Sequence, residues 1–566
     1  MEDENKLENA NQFKEEKKQK ILNWLKNKYN LIFLAILIFA IAVRLYYLDI
    51  TIDQPLWWDE SDYMAYAKTI AGFSSHWTVT GAHSSIFPYL AAFFFKFGSS
   101  EAIVKFFLEI IPSILIVLLT YKITVLMYSD KRIALISSFL MATLWEMLFN
   151  SMRFHLEAPA LLFGFLAVYS FWQGYERKER IFGKIAPHWA IPLTVFFVTL
   201  TYATRRGYFL FGFFFLFYML FTREFKSLLK DKYNWIALIM LIVIFLLVEK
   251  FIFAEIIVES SKLYVHPDSP IRLVDLQVFG AYFNNMNGIF SSLLYLFYFG
   301  FIILTFSLFI PLSYFKQLEN KKARSDLFIF LTLALTFAYF ILIQRNQSVG
   351  EPRWYFPILL ATFASISKGT LFIADYIKKY SKHLSILVIL VLIGYGGYYE
   401  LQHADTIIKA RVNSFNGVKQ IALFVKEVSN KDDMLIGMSN PQVGYYAERK
   451  SRGPVTFKEP MRLDREGALE EFLSELEKEE NRNIRYIYVT FSEPNHPEWM
   501  KKEVYLQNPQ TGQVMLAKFE IPFMNTSIDF TTGQQDIKQS KTYGDIEFRL
   551  LRVVDDAFLY EINRLN

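Results

Sequence analysis

Five carboxylates crowd into fourteen residues of the stretch Asp49-Ile-Thr-Ile-Asp53-Gln-Pro-Leu-Trp57-Trp58-Asp59-Glu60-Ser61-Asp62-Tyr63. Carboxylates can take a proton from an attacking hydroxyl or hold a hard divalent cation such as Mg or Mn. Asp59 and Glu60 are neighbours in sequence, so on a helix they leave it in different directions. One could face a reactant while the other holds structure. The bland alternative is a solvated acidic loop with Trp57 and Trp58 as interfacial anchors. Farther along, Arg153, Arg205, Arg206, Arg345 and Arg353 stand beside long apolar runs, accompanied by His155 and Glu157. Ionisable residues at such positions are costly and mark function by default. The chain has no Cys, so a thiolate nucleophile, a Cys zinc site and a disulfide framework are all excluded.

Those residues must be positioned by elements that sit in a bilayer. Of the 566 residues, 53% are hydrophobic and only 20% charged, which excludes a disordered chain and a soluble nucleic-acid binder. Apolar runs long enough to cross a membrane fall at 30–48, 103–127, 132–149, 156–175, 186–203, 207–222, 234–257, 289–314, 327–344, 354–372 and 384–400. The run 86–97 is short, has Pro88 near its start and carries Lys96, so it reads as a re-entrant or interfacial helix. With residues 1–29 as a flexible cytoplasmic lead-in, the basic groups near 131, 177–184, 223–232, 316–324 and 368–382 all fall inside, as the positive-inside rule asks. The expected architecture is a polytopic α-helical membrane protein of about eleven spans. Its transmembrane domain covers 30–400, with a first outer loop at 49–102. Residues 401–566 hold 22 Lys and Arg against 25 Asp and Glu, a net of −3, leaving +8 for the rest. They form an extracytoplasmic α/β domain with strands at 433–438, 484–491, 514–521 and 546–554, and helices at 414–429 and 465–480.

The first-loop string WWDESDYMAYAKTIAGF and the following GAHSSIFPYLAAFFFKFGSSEAIVKFF resemble the PMT-like branch of the GT-C membrane glycosyltransferases. That branch includes protein O-mannosyltransferases and the lipid A aminoarabinose transferase. Its members carry an Asp-Glu in the first extracytoplasmic loop, then a His- or Lys-containing Pro-rich segment. Here that segment is Gly81-Ala82-His83-Ser84-Ser85-Ile86-Phe87-Pro88, which lacks the family's Pro-Pro pair. The turn Ser151-Met152-Arg153-Phe154-His155-Leu156-Glu157 resembles the family's Arg followed by a carboxylate that opens the next helix. Glu351-Pro352-Arg353-Trp354-Tyr355-Phe356-Pro357 is similar to its late "RY…P" stretch.

The resemblance implies an inverting transferase of hexosyl or pentosyl type in the cell membrane. It would move a sugar from a polyprenyl-phosphate donor to a glycan, lipid or protein acceptor. Asp59 is the expected base, with Glu60 or Glu157 assisting. Arg153, Arg205, Arg206 and Arg353 are the expected donors to the leaving phosphate, because the guanidinium fork matches it. His83, His155 and Tyr355 are the expected substrate contacts. A divalent cation is the only cofactor these residues suggest. Ser439-Asn440-Pro441-Gln442-Val443-Gly444-Tyr445-Tyr446 resembles a segment that follows the last span in the family, and would shape or cap the acceptor site. Two other classes compete. A lipid-linked sugar transporter or flippase would favour repeated halves and charges near the midplane, and the sequence shows neither. In oligosaccharyltransferases a Trp-Trp-Asp motif belongs to the soluble C-terminal domain, whereas here Trp57-Trp58-Asp59 follows the first span.

Overall fold

The computed structural model describes residues 18–19, 22–73, 75–77, 84–253, 276–309, 321–342, 351–453, 467–491, 493, 496–507 and 514–565. His83 and Arg345 lie outside the described residues. Contacts divide the chain into two units, one of residues 1–51 and 102–409, the other of residues 52–101 and 410–566.

The first unit is helical. Among the described residues, six helices are long and apolar enough to cross a membrane: Lys28–Ile50, Glu101–Tyr128, Lys232–Phe253, Lys322–Phe340, Pro352–Ile377 and Lys382–Arg411. Two bent pairs, Lys131–Thr143 with Trp145–Ser151 and Asn284–Phe290 with Leu294–Phe309, raise this to at most eight. The expected count of about eleven exceeds what helix length returns. Three further expected spans are helical, but their regular α segments are short: Glu157–Ser170, Ala190–Thr204 and Leu210–Thr222 have 14, 15 and 13 residues. They are prolonged by a wider π turn at Phe171–Glu176 and by 3-10 turns at Pro187–Trp189 and Arg206–Phe209.

Polar contacts in this unit fall into two sets. One joins helix ends that the positive-inside reading puts on the inner side. Arg132 pairs with Asp375 at 2.7 Å, Lys368 with Asp326 at 2.6 Å, Arg324 with Glu176 at 3.1 Å, and Lys131 donates to Asn30 at 3.1 Å. The other set joins ends expected outside. Arg205 pairs with Glu157 at 2.9 Å, the Tyr208 hydroxyl donates to the Arg353 carbonyl at 3.0 Å, and Lys105 donates to the Thr51 carbonyl at 3.0 Å. Helices Leu294–Phe309 and Leu359–Ile377 cross at Gly300. A Cβ there would lie 1.9 Å from the Ser365 carbonyl oxygen, so only glycine permits the approach.

The second unit holds the helices Trp58–Ala71 and Phe87–Lys96 together with the C-terminal sheets. A six-stranded sheet runs in the order Lys450–Arg452, Met434–Ile436, Ile484–Thr490, Ala557–Arg564, Ile546–Val554, Ser540–Tyr543. Its first three strands are parallel and the rest antiparallel. A four-stranded antiparallel sheet contains Lys502–Gln507, Val514–Ile521, Thr526–Asp529 and Gln535–Asp536. The four strands expected from sequence are all present. The helix Asn416–Val428 buries Val418, Ile421, Ala422 and Val425, the i, i+3, i+4, i+7 stripe of an amphipathic helix.

Two outcomes follow. Gly300→Ala should lower the thermal midpoint in detergent by an amount worth at least about 1–3 kcal/mol, the cost of overpacking. Gly394→Ala, where an added Cβ meets nothing within 4 Å, should leave it unchanged or raise it. For topology, an impermeant maleimide should label Lys431→Cys in intact cells and Glu179→Cys only after permeabilisation. Both positions are exposed and the chain has no native Cys to interfere.

Candidate functional site

The turn that carries Arg153 and His155 follows a break in the helix before it. Lys131–Thr143 and Trp145–Ser151 meet at 50°. Leu144 leaves the helical region there, at φ −54° and ψ 119°. A break exposes a carbonyl on one side and an amide on the other, and in an apolar medium both need partners. The wholly buried Arg44 donates to the Ala142 carbonyl at 3.2 Å and to Ser113 Oγ at 2.6 Å. On the other side the Trp145 amide donates to the buried Glu400 carboxylate at 3.4 Å. A cation thus sits at the carbonyl end of one segment and an anion at the amide end of the next, each complementing a helix dipole.

The short helix Trp145–Ser151 then presents Glu146 and Asn150. The Asn150 amide donates to Glu146 Oε2 at 2.7 Å, which turns its oxygen to His155 Nδ1 at 2.6 Å. Burial, then Arg353, Arg153 and Arg205, hold the His155 pKa well below the ordinary range, so the ring is neutral. Glu157 opens the next helix with no exposed surface. Its Oε1 lies 2.9 Å from Arg205 Nη1 and 3.6 Å from Arg353 Nε, and its Oε2 lies 4.0 Å from His155 Nδ1. Arg353 also pairs with the exposed Glu351, and its Nη1 reaches His155 Nδ1 at 3.3 Å. Three expected site residues on separate segments, Glu157, Arg205 and Arg353, therefore form one buried ion-pair cluster with His155.

Other expected residues are placed differently. Arg153 is buried with its guanidinium 5.5 Å from the Phe149 ring. Arg206 turns from its neighbour to stack 3.9 Å over Phe253, a cation–π contact. The Tyr355 ring stacks on Phe340 at 4.5 Å and its hydroxyl accepts from Asn285 Nδ2 at 3.3 Å. An apolar cavity of about 670 Å³ runs between helices Ala190–Thr204, Leu210–Thr222 and Lys232–Val248. Tyr202 and Phe209 line it, so one end abuts the turn that carries Arg205 and Arg206. Glu146, Asn150 and Tyr208 are cluster members that the sequence reading passed over. The available signal was a carboxylate inside the apolar run 132–149.

In the second unit, Glu60 Oε1 accepts the Trp57 amide at 2.7 Å, the N3 half of a capping box. The structure thus gives Glu60, which is buried, a helix-capping contact. Asp59 is partly exposed in the first turn of Trp58–Ala71. Trp58 has φ +28°, a strained conformation for a bulky residue that costs about 1–3 kcal/mol and persists where the surroundings impose it. Among the described residues no group of three or more His, Asp or Glu could hold a metal ion. The first-loop carboxylates, one of them committed to the cap, do not make a built cation site.

Glu157→Ala should destabilise the helical unit by about 3–5 kcal/mol, because it removes the buried carboxylate that Arg205 and Arg353 share. The thermal midpoint in detergent checks this. Restoration by a second change, Arg205→Leu, would show that the loss comes from the uncompensated charge.

A family model described as dolichyl-phosphate-mannose-protein mannosyltransferase matches residues 82–248. That segment includes Arg153, His155, Glu157, Arg205 and Arg206 and begins after Asp59. A search of curated proteins returns no match. Among solved structures, ArnT from Cupriavidus metallidurans bound to undecaprenyl phosphate shares the fold with a TM-score of 0.55 at 13% identity, over 81% of this chain and 93% of that one. The oligosaccharyltransferase of Archaeoglobus fulgidus, tethered with an acceptor peptide, aligns with a TM-score of 0.54 at 12% identity, over 88% of this chain and 74% of that one. Its complex with an inhibitory peptide and a dolichol-phosphate gives 0.52 at 12%, over 87% and 74%. The family match covers the segment with the Arg153–Glu157 motif and begins after the first-loop Asp59-Glu60, and the solved structures share the fold.

Proposed function

We propose that this chain transfers a sugar from a polyprenyl-phosphate carrier to an acceptor hydroxyl at the outer face of the membrane. The observation that carries the reading is the apolar cavity ending at the arginine turn. A prenyl tail fits its walls, and the phosphate at the end of that tail would then meet Arg205 and Arg206. Arg353, which shares Glu157 with Arg205, adds a third guanidinium from another segment.

The chemistry follows from the residue types. Asp59 takes the proton from the acceptor hydroxyl as its oxygen attacks the anomeric carbon. The bond from that carbon to the phosphate oxygen breaks, and the electron pair leaves with the phosphate. A single displacement of this kind inverts the anomeric centre. Negative charge grows on the phosphate, and fixed guanidiniums in a site of low dielectric stabilise it most at that stage. Glu157 keeps two of them aimed and limits their net charge. His83, within the segment that the family model matches, and Tyr355 are proposed substrate contacts. The sugar and the acceptor are set by residues beyond this constellation.

Membranes containing the chain, given radiolabelled undecaprenyl-phosphate- and dolichyl-phosphate-linked sugars, should pass label to an acceptor. Asp59→Asn should insert normally and lose about 10²–10⁴-fold in rate, the usual contribution of a general base. Label that crosses the bilayer without changing carrier would overturn the transferase reading in favour of a flippase. Full transfer by Asp59→Asn would remove Asp59 from its role.

A further inference from the structure

The main chain of Leu56, three residues before Asp59, is held at both its N–H and its C=O by one short helix. Its amide donates to Tyr446 Oη at 3.0 Å and its carbonyl accepts from Gln442 Nε2 at 2.8 Å. Gln442 and Tyr446 are four residues apart on Asn440–Ala447, so they share a face, and both are buried. The next amide, that of Trp57, is the one capped by Glu60. Between this cap and Asp59 lies Trp58 with its positive φ. The Trp57 ring packs on Phe415 at 5.7 Å, with the Arg411 guanidinium 5.1 Å from it. Both flanks are tied as well. Lys419 donates to the Asp53 carbonyl at 2.7 Å, and Lys68 donates to the Tyr445 carbonyl at 3.0 Å and pairs with Glu448 at 2.9 Å.

The hydrogen bonds that Lys419, Tyr446, Gln442 and Glu60 make to Asp53, Leu56 and Trp57 all take main-chain groups, which holds the path of the loop independently of those side chains. We infer that Gln442 and Tyr446 are positioning residues that set the direction of the Asp59 carboxylate by clamping the main chain of Leu56 on both sides of its Cα. The inference rests on the role proposed for Asp59. A backbone turn at positive φ relaxes when its flanks are released, so freeing either side of Leu56 lets Trp58 and Asp59 swing. A base must lie within hydrogen-bond reach of the proton it takes. Misplacement by about 1 Å costs on the order of 100-fold in rate while substrate binding by other groups persists.

Tyr446→Phe deletes only the acceptor oxygen, and Gln442→Glu sets an oxygen against the Leu56 carbonyl. The chain has no Cys, so a nitroxide at Trp58→Cys reports the loop directly and one at Lys431→Cys serves as control. In either clamp variant of the full-length protein, the label at 58 should gain mobility while that at 431 is unchanged. With native Trp58, kcat should fall about 100-fold and the KM for the polyprenyl-phosphate sugar should stay within about twofold. An unchanged spectrum at 58 in both variants overturns the inference. So does mobility gained equally at 58 and 431, which would mean general loosening of the unit. If the parent protein transfers no sugar, the proposed function fails, and the spectra still decide whether the clamp exists.

Discussion

Glu157 holds a carboxylate with no exposed surface at the end of a helix among apolar neighbours, and the outer rim of the helical unit is organised by that burden. An unpaired charge there would cost several kcal/mol, so the fold supplies Arg205 and Arg353 from two other segments. The attraction runs both ways. Two guanidiniums gathered at one place would repel each other without the anion between them. Glu351 pairs with Arg353 as well, so two carboxylates hold the two guanidiniums together. His155 adds no charge, because burial and the three arginines keep it neutral. Its contacts to Asn150 and Arg353 instead order the cluster.

The same accounting explains ionisable residues inside apolar helices. A helix that breaks in hydrocarbon exposes main-chain groups that water cannot reach. Arg44 and Glu400 take one side each of the break at Leu144. Removing the break would let a straight helix run past the position of Glu146 and Asn150, and the chain from Asn150 to His155 would lose its first member. The wholly buried Arg44, in the first membrane helix, is thus best understood as a support for the turn that carries Arg153 and His155 rather than as a reactive group.

The layout was legible where it depends on local composition. Long apolar runs mark helices because a bilayer admits little else, and basic residues mark one side because they resist crossing. The contacts from Arg132 to Asp375 and from Arg324 to Glu176 join ends that this rule puts together. The span count was less legible, since π and 3-10 turns shorten regular helix without changing hydropathy. Site residues divided in the same way. Arg205, Arg353 and Glu157 stand out in the sequence because charge at an apolar edge is anomalous, and the fold brings the three together. Glu146 was hidden by the apolar run around it. Arg205 and Arg206 look alike in sequence, but only Arg205 pairs with Glu157 while Arg206 stacks on Phe253. Adjacency of Asp59 and Glu60 says nothing of the direction each takes, and the fold directs Glu60 to the Trp57 amide. The grouping of residues 52–101 with the C-terminal segment depends on pairs such as Leu56 with Tyr446, 390 residues apart, which no local pattern encodes.

Two ways of holding a functional group emerge from these contacts, and they suit different tasks. A guanidinium that meets phosphate works through charge, which falls off slowly with distance. Burial and a shared counter-ion hold it well enough. A carboxylate that removes a proton works through one hydrogen bond, whose strength collapses within a fraction of an ångström or beyond a narrow angle. Side-chain pairing alone cannot give that precision to a loop. Main-chain clamps can, because a residue gripped at both its N–H and its C=O has both flanking peptide planes restrained. The first loop shows this second kind of support at Leu56 and Trp57, immediately before Asp59, while the rim arginines show the first kind. The distribution of restraint in the chain therefore matches the sensitivity of each step to geometry. On the base role proposed for Asp59, that partly exposed carboxylate is the group whose aim such clamps would have to serve.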